Sequence, residues 1–385
     1  MNAFNFCVPT KIYFGKNQLD SLPKAIEPYG KNILLVYGGG SIKKTGLYDK
    51  IMMLLRDYHV VEFSGVEPNP HLSTVNRGAT VCRENHIDII LAVGGGSVID
   101  CSKVIAAATL YDGDPWDYVS GKVPVSSALP VASILTLAAT GSEMDSAAVI
   151  TNTDTKEKIC MLSPQLYPVF SILDPENTYS VSRKQTASGA ADTFSHVLEN
   201  YFNRPHEYLA DGFSESLMRT VIKYAPIAME KPNDYEARSE LMWAATLAIN
   251  GIASVGKVNA WSCHPIEHEL SAYYDIPHGL GLALITPKWM RYILNEDTVD
   301  FFKRYAVNVW GLNEELDPFE LAEQAIVKTE VFFFKTLGLP MQFSDIGIDD
   351  KNFDVMSRHA AACGLNAAFQ PLTEEDVRAI FTACL

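Results

Sequence analysis

Five residues of types that bind metals occur in two short parts of the sequence. His264, His268 and His278 lie within fifteen residues of one another, and Asp192 and His196 lie upstream. Each pair with a spacing of four would project from one face of a helix. One such pair alone is usually a surface or capping pair, but three clustered histidines favour Fe(II), Zn(II) or Mn(II). The pattern predicts a divalent metal site and leaves open which of the five residues bind the ion.

Two glycine runs could bind phosphate groups. The apolar segment 32–37 runs into Gly38-Gly39-Gly40-Ser41, and the apolar segment 87–93 runs into Gly94-Gly95-Gly96-Ser97. Apolar runs of this length that end in glycine are typical of buried parallel strands. Ligands of open parallel sheets bind at the carboxyl ends of the strands, where glycine lets backbone N–H groups approach a pyrophosphate. Two such turns predict a dinucleotide site, although neither G-x-G-x-x-G nor a P-loop lysine is present.

The first glycine turn bears on which dinucleotide is used. An acidic residue at this point would bind the ribose 2′-hydroxyl of NAD(H) and repel a 2′-phosphate. Residues 38–41 contain none, while Ser41 could donate a hydrogen bond and Lys43 and Lys44 follow closely. The turn therefore predicts NADP(H) rather than NAD(H).

The elements that must position these residues fall into two regions. Strand, turn and helix alternate to about residue 175, which predicts a Rossmann-like open parallel sheet with helices on both faces. After Ser182 only helical patterns continue. We therefore expect an α/β dinucleotide-binding domain over 1–180 and an all-α metal- and substrate-binding domain over 181–385. The expected strands are 5–15, 32–37, 59–63, 87–93 and 129–135, and the expected helices of the second domain are 184–203, 208–228, 234–253, 260–273, 280–293, 297–309, 318–337 and 374–384.

Composition argues against a nucleic-acid-binding, membrane or secreted protein. The 385 residues are 48% apolar and 20% charged, with a formal net charge of −15. Such a charge disfavours nonspecific binding to nucleic acid or to an anionic membrane. The first residues lack the features of a secretory signal and the apolar runs are too short to span a bilayer, so we expect a cytoplasmic protein. Seven scattered cysteines without a C-x-x-C pair fit a reducing compartment.

Taken together, these motifs resemble the iron-containing (group III) alcohol dehydrogenases over nearly the whole chain. Within that family the sequence is similar to the bacterial NADPH-dependent butanol dehydrogenases. The motifs that carry the resemblance are Val36-Tyr-Gly-Gly-Gly-Ser41, Val66-Glu-Pro-Asn-Pro70, Gly94-Gly-Gly-Ser-Val-Ile-Asp100, Thr140-Gly-Ser-Glu143, Asp192-x-x-x-His196, His264-x-x-x-His268 and Pro277-His278-Gly279.

The resemblance implies a role for each matching residue. Four of the five candidates, Asp192, His196, His264 and His278, would bind the metal. His268 would lie near the metal and the nicotinamide without being a regular ligand, and we hypothesise that it relays a proton. The implied cofactor contacts are Gly38, Gly39, Gly40, Ser41, Gly95, Gly96, Ser97, Asp100, Thr136, Thr140 and Lys158.

The resemblance also implies an activity. It predicts hydride transfer between NADP(H) and a small primary alcohol or aldehyde, such as butanol or butyraldehyde, by a homodimer that associates through its N-terminal region. The metal would act as a Lewis acid on the substrate oxygen.

Two alternatives compete with this interpretation. The first is a lyase of the same architecture that resembles dehydroquinate synthase, with a metal and NAD. That chemistry would need several basic residues to hold phosphate and carboxylate, and the segments around the candidate ligands offer chiefly Lys184 and Lys257. The second is a noncatalytic metal-binding protein, which would have no use for two phosphate-binding turns.

Overall fold

The computed structural model describes residues 1–385, and these form two compact units. One unit contains Cys7–Val181 and Pro232–Thr246, and the other contains Met1–Phe6, Ser182–Lys231 and Leu247–Leu385. The chain therefore passes from one unit to the other next to the expected boundary, but two short segments are assigned differently from the expected domains. The backbone N–H of Asn2 donates to the carbonyl of Gly256, and the ring of Trp243 packs against Phe14 at 5.6 Å between centroids. These contacts join residues that are distant in sequence, so sequence order alone misplaces them.

Six parallel strands and one antiparallel hairpin form the β-structure. The six-stranded sheet has the order β1-β8-β5-β4-β2-β3, and β6 pairs only with β7. The strands are β1 (Lys11–Phe14), β2 (Asn32–Tyr37), β3 (His59–Ser64), β4 (Ile89–Gly94), β5 (Val131–Leu135), β6 (Ala147–Asn152), β7 (Glu157–Leu162) and β8 (Phe170–Leu173).

The central strands are apolar on both faces because both faces of the sheet are covered. Along β2, Ile33 and Leu35 belong to the core on one face, while Leu34 and Val36 belong to the core on the other. Every residue of β4 is buried. Alternation of side chains between two buried faces produces the continuous apolar runs that predicted parallel strands.

One strand prediction needs correction, and three strands were not predicted. The expected strand over 5–15 is limited to Lys11–Phe14, which pairs with β8; Pro9, just before it, cannot donate to a sheet ladder. The hairpin of β6 and β7 was not among the expected strands, and neither was β8. No glycine run marks the ends of these three strands.

Fifteen α-helices complete the fold. The first six are α1 (Leu22–Ile26), α2 (Ser41–Lys44), α3 (Leu47–Leu54), α4 (Leu72–Glu84), α5 (Gly96–Thr109) and α6 (Trp116–Val119). The other nine are α7 (Arg183–Tyr201), α8 (Tyr208–Glu230), α9 (Tyr235–Ala248), α10 (Cys263–Tyr274), α11 (His278–Ile293), α12 (Val299–Asn308), α13 (Pro318–Glu330), α14 (Phe353–Ala362) and α15 (Glu374–Ala383).

The helical predictions were correct in kind and wrong in some bounds. The expected helix 318–337 is α13 followed by a π-helical stretch, Val331–Thr336. Helix α14 was missed, although its buried Phe353, Met356 and Ala360 have helical spacing. Helix α11 begins at His278 instead of residue 280. None of the helices is both long enough and apolar enough to cross a membrane.

Candidate metal centre and nucleotide-binding turns

Three helices bring four of the predicted metal ligands together. Asp192 and His196 lie one turn apart on α7, His264 lies at the start of α10, and His278 is the first residue of α11. One potential ligand atom from each residue lies within 4.8 Å of the others. Oδ1 of Asp192 is 3.5 Å from Nδ1 of His196 and 3.8 Å from Nε2 of His278. The spacing of four between Asp192 and His196 thus places both side chains on one face of α7, as predicted.

The chemistry of this group fits a divalent metal. Nδ1 of His196 and Nε2 of His264 are buried and make no hydrogen bond, whereas buried polar atoms in proteins are nearly always bonded. Burial lowers the pKa of His196 well below its ordinary value, and the neighbouring His264, His278 and His268 lower it further. A neutral imidazole is the form that binds metal ions. Three imidazoles and one carboxylate suit Fe(II) or Zn(II).

Glycine at the start of α11 lets this helix approach α7. A Cβ atom at Gly279 would lie 2.0 Å from the carbonyl oxygen of Ser188 and 3.0 Å from Cβ of Asp192. No side chain fits at that distance, so Gly279 is required for His278 to reach Asp192. In the motif Pro277-His278-Gly279, helix α11 therefore begins at His278, which is also a candidate ligand, and Gly279 allows the close approach to α7.

Two buried glutamates contact the histidines of the group, and the sequence analysis did not identify them. The carboxylate of Glu199 bonds Nδ1 of His264, and the carboxylate of Glu267 bonds Nδ1 of His278. Their spacing was a usable signal, because each lies three residues after a candidate histidine on its own helix. Helical spacing of three places such side chains on one face.

His268 lies beside the four-residue group but is not part of it. Its ring centroid is 5.5 Å from that of His278, and it forms a second possible metal-binding group with Glu267 and His278. The four expected ligands therefore form one group without His268, and His268 belongs to a second group that shares His278.

The second glycine turn forms a tight link between β4 and α5. Strand β4 ends at Gly94 and α5 begins at Gly96. A Cβ atom at Gly94 would lie 2.5 Å from the Val98 side chain, and one at Gly96 would lie 2.3 Å from Oγ1 of Thr140. The turn thus brings Thr140 against the first residue of a fourteen-residue helix. The N-terminus of a helix that begins at glycine is a suitable phosphate site.

Two predicted cofactor residues of this region have partners within the protein. The hydroxyl of Ser97 donates to the carbonyl of Pro68. The carboxylate of Asp100 accepts hydrogen bonds from the hydroxyl of Ser142 at 2.5 Å and from the backbone N–H of Val149 at 3.0 Å. Burial raises the pKa of Asp100 to about 6. Asp100 therefore ties α5 to β6, and a contact with a cofactor would be additional to that role.

Two further predicted contacts flank this turn. The backbone N–H of Thr136 donates to the carbonyl of Gly94 at 3.0 Å, directly at the end of β4. The ammonium group of Lys158, on β7, donates to the side-chain oxygen of Asn69 at 3.1 Å. Asn69 belongs to the Val66–Pro70 segment, so this contact connects two of the sequence motifs.

The first glycine turn is open around its central residues. No atom lies within 4 Å of the position that a Cβ would take at Gly39 or Gly40, and Gly40 has a positive φ of 85°. Ser41 is the first residue of α2. Lys43, expected to attract a phosphate, donates at 2.9 Å to the carboxylate of Glu62. Of the two positive charges inferred from the sequence, that of Lys43 is therefore already paired with a negative one.

The fold combines an open parallel sheet that has glycine turns with a helical unit that carries one aspartate and three histidines. This combination is the one expected of a two-unit dehydrogenase. Family models agree. Residues 9–175 match "Iron-containing alcohol dehydrogenase" and residues 186–385 match "Fe-containing alcohol dehydrogenase family, C-terminal". The chain belongs to the iron-containing alcohol dehydrogenase family.

Individual relatives cover nearly all of the chain. An NADH-dependent butanol dehydrogenase A of Clostridium acetobutylicum is 50% identical over 386 residues, 99% of each chain. The NADPH-dependent aldehyde reductase YqhD of Escherichia coli is 37% identical, with 95% of this chain and 94% of YqhD covered. The crystal structure of NADH-dependent butanol dehydrogenase A from Thermotoga maritima superposes with a TM-score of 0.95 at 39% identity, covering 100% of this chain and 99% of that one.

These comparisons confirm the predicted family and the predicted fold class. They place the chain among alcohol dehydrogenases and aldehyde reductases, and therefore favour an oxidoreductase over the dehydroquinate synthase-like lyase and over the noncatalytic metal-binding protein. The family description also implies an iron ion. The named relatives divide between NADH and NADPH, so they leave the predicted NADPH preference undecided.

Proposed function

We propose that this protein interconverts small primary alcohols and aldehydes, such as butanol and butyraldehyde, with NADP(H) and one bound Fe(II) or Zn(II). The observation that carries the proposal is the convergence of Asp192, His196, His264 and His278 within 4.8 Å. Family membership adds the reaction class, and the name of the 50% identical relative supports a butanol-sized substrate.

Each residue of the group has a definite role in this proposal. Asp192 supplies a carboxylate oxygen, and His196, His264 and His278 supply ring nitrogens to the metal. The bound metal would supply Lewis acidity at the substrate oxygen, and the nicotinamide would supply or accept the hydride. His268, whose ring centroid lies 5.5 Å from that of His278, would pass a proton between that oxygen and water.

The cofactor would be held by the two glycine turns. Helix α5 begins at Gly96, and the N–H groups of its first turn would bind the pyrophosphate beside Thr140, which lies against Gly96. The open space at Gly39 and Gly40, and the lack of an acidic side chain at residues 38–41, support NADP(H). These residues could surround a 2′-phosphate without repelling it.

NADH is the second candidate cofactor, and two observations favour it. The relatives at 50% and 51% identity are named NADH-dependent. In addition, Glu62 pairs with Lys43 and so reduces the positive charge available to a 2′-phosphate. The choice between the two cofactors can be measured as a ratio of kcat/KM values.

The test strips the protein with a chelator and reloads it with Fe(II) or Zn(II). Oxidation of NADPH or NADH by butyraldehyde is then followed through the absorbance of the reduced nicotinamide. We expect activity to return only with metal and to be higher with NADPH. Activity that survives complete metal removal would overturn the proposal, whereas a higher kcat/KM with NADH would overturn only the cofactor preference.

A matched pair of variants separates the metal group from other histidines. His264→Ala should lose both metal and activity. His359→Ala is the control, because His359 is partly exposed and its ring nitrogen lies 3.4 Å from the carboxylate of Glu269, outside the metal group. Equal loss in both variants would show that the effect is not specific to the metal group.

We also propose a homodimer in the cytoplasm. Large apolar side chains at the N-terminus and at the start of α8 are exposed, namely Phe4 at 50%, Phe6 at 48% and Leu209 at 60%. A group of exposed apolar residues often marks an association surface. Sedimentation of the wild-type chain and of Phe6→Ser tests the dimer, which the substitution should weaken. The scattered cysteines support the proposed location in the cytoplasm, because they fit a reducing compartment.

A further inference from the structure

Two buried carboxylates hold two of the candidate ligand histidines from the side away from the metal group. The side chains of Glu199 and Glu267 are 2% and 0% exposed. Each bonds the Nδ1 atom of one imidazole, His264 for Glu199 and His278 for Glu267. A carboxylate can only accept, so each Nδ1 carries the proton, and Nε2 keeps the lone pair that binds a metal.

Glu199 also fixes the start of helix α10. Its carboxylate accepts hydrogen bonds from the backbone N–H groups of Ser262, Cys263 at 2.7 Å and His264 at 3.1 Å. These N–H groups belong to the first turn of the helix, where they lack partners within it. Negative charge is favourable there because of the helix dipole. One carboxylate therefore sets the backbone position of His264 and the orientation of its ring.

Glu267 is held in place from two other directions. Its carboxylate accepts a hydrogen bond from the hydroxyl of Ser271, one turn along α10. A Cβ atom at Gly281 would lie 2.6 Å from Cγ of Glu267, so the glycine of α11 provides the space that Glu267 occupies. These contacts hold the carboxylate on Nδ1 of His278, although Glu267, His268 and His278 also form a second possible metal-binding group.

We infer that Glu199 and Glu267 are positioning residues that direct Nε2 of His264 and Nε2 of His278 toward one metal ion. The inference rests on the proposed metal-dependent function. It assigns Glu267 to the outer side of the site, so His278 serves the Asp192 group and not the alternative group of Glu267, His268 and His278. Outer carboxylates of this kind orient the ring and strengthen the ligand.

Metal affinity of substituted proteins tests the inference without measuring turnover. Zn(II) and Co(II) are each titrated against a chromophoric chelator with the wild type, Glu199→Leu and Glu267→Leu. We expect each substitution to weaken metal binding by about 10- to 100-fold and to change the visible absorption of bound Co(II). Glu199→Gln and Glu267→Gln keep an acceptor oxygen and the side-chain shape, so they should lose less affinity than the leucine variants.

Glu269→Leu and Glu269→Gln are the matched controls. Glu269 is a buried carboxylate on the same helix, 5% exposed, and its histidine contact is His359, which is outside the metal group. Affinity in these controls should equal that of the wild type. The glutamine variants decide the matter if a leucine variant does not fold, as judged by circular dichroism.

The outcomes separate this inference from the proposed function. Unchanged metal affinity and an unchanged Co(II) spectrum at both positions would overturn the inference, as would an equal loss in the Glu269 controls. A wild type that binds one metal ion but oxidises no reduced nicotinamide would overturn the proposed activity while the affinity differences still supported the positioning role. A wild type that binds no metal would overturn both.

Discussion

The Nζ atom of Lys43 lies 2.9 Å from Oε2 of Glu62. The hydroxyl of Tyr37 donates to the same oxygen at 2.7 Å, and the hydroxyl of Tyr48 donates to Oε1. The hydrogen bond from Tyr48, followed by those from Lys43 and Tyr37, lowers the pKa of the Glu62 carboxyl to about 2. Glu62 is therefore negatively charged at any working pH, directly beside the turn predicted to receive the adenosine ribose.

Removing that charge should favour NADPH. In Glu62→Gln the Lys43 ammonium would be released toward the first glycine turn, so we expect kcat/KM for NADPH to rise about two- to fivefold relative to NADH, the size typical of exposed charge interactions. The ratio should approach that of the wild type at high salt, since exposed charges are screened. Steady-state kinetics with both cofactors at low and high salt measure it.

The opposite substitution provides the control for this prediction. Lys43→Ala removes the cation and should lower the NADPH preference, with little effect on NADH. If both variants change kcat/KM for NADH and kcat/KM for NADPH equally, the pair of Lys43 and Glu62 affects the fold of the turn and not the choice of cofactor.

The parallel strands and the five candidate metal-binding residues were recognisable from local pattern, whereas the choice of four ligands among the five came from the family resemblance. The runs 32–37 and 87–93 indicate buried strands, and the spacing of Asp192 and His196 places two candidate ligand side chains on one helix face. Periodicity and short-range spacing are properties of the sequence itself. For that reason, the family motifs and the structure agree on these elements.

Spacing can mark Glu199 as a candidate beside His196, but the contacts that Glu199 and Glu62 make were not predictable in the same way. Glu199 reaches His264 across 65 residues, and Glu62 reaches Lys43 across 19. Neither pair lies on one helix, so no spacing rule relates them. Glu62 matters most for the predicted cofactor preference. Residues 38–41 contain no acidic side chain, but Glu62 on strand β3 brings one into the same region.

His268→Ala should retain the metal and lose turnover. Its ring lies 5.5 Å from that of His278, and the side chain is expected to relay a proton without binding the ion. General acid–base groups contribute about 10²- to 10⁴-fold to a rate, so we expect kcat to fall by at least about 10²-fold at unchanged metal content. Metal analysis together with pre-steady-state kinetics measures both quantities.

Chemical rescue distinguishes a relay from a purely structural role for His268. Added imidazole should restore part of the rate of His268→Ala if the missing group carried a proton. A variant with wild-type turnover would disprove the relay, and a variant that lost its metal would assign His268 to the ligand set instead.

Gly279→Ala should destabilise the helical unit. The added Cβ would lie 2.0 Å from the carbonyl oxygen of Ser188, a backbone atom that cannot rotate away. Overpacking of this kind costs about 1–3 kcal/mol, and moving α11 would also separate His278 from Asp192. We therefore expect a lower Tm and weaker metal binding, measured by calorimetry and by metal titration.

Gly212→Ala is the matched control for that substitution. Gly212 lies within helix α8, and no atom is within 4 Å of the methyl group that alanine would add there. Alanine is about 1 kcal/mol more favourable than glycine inside a helix, so this variant should be slightly more stable than the wild type. If both variants lost stability, the cause would be a general sensitivity of the helices to replacement of glycine by alanine and not the contact with Ser188.

Glu143 should make the protein less stable as the pH rises toward neutrality. Its side chain is 1% exposed, and burial raises the pKa of its carboxyl to about 7, against the lowering effect of a hydrogen bond from Thr246. The unfolded chain loses this proton near its ordinary pKa of about 4.3. The folded protein thus binds more protons between these two values, and the free energy of unfolding falls as the pH rises through that window.

Replacing Glu143 with glutamine removes this titration. We therefore expect Glu143→Gln to match the wild type at acidic pH and to exceed its stability above neutral pH by up to about 3 kcal/mol. Urea unfolding across the pH range measures the difference, with the exposed Glu84→Gln as a control of equal charge change. Parallel pH profiles for the wild type and Glu143→Gln would contradict this prediction, because they would show that the pKa of Glu143 is the same in the folded and unfolded states.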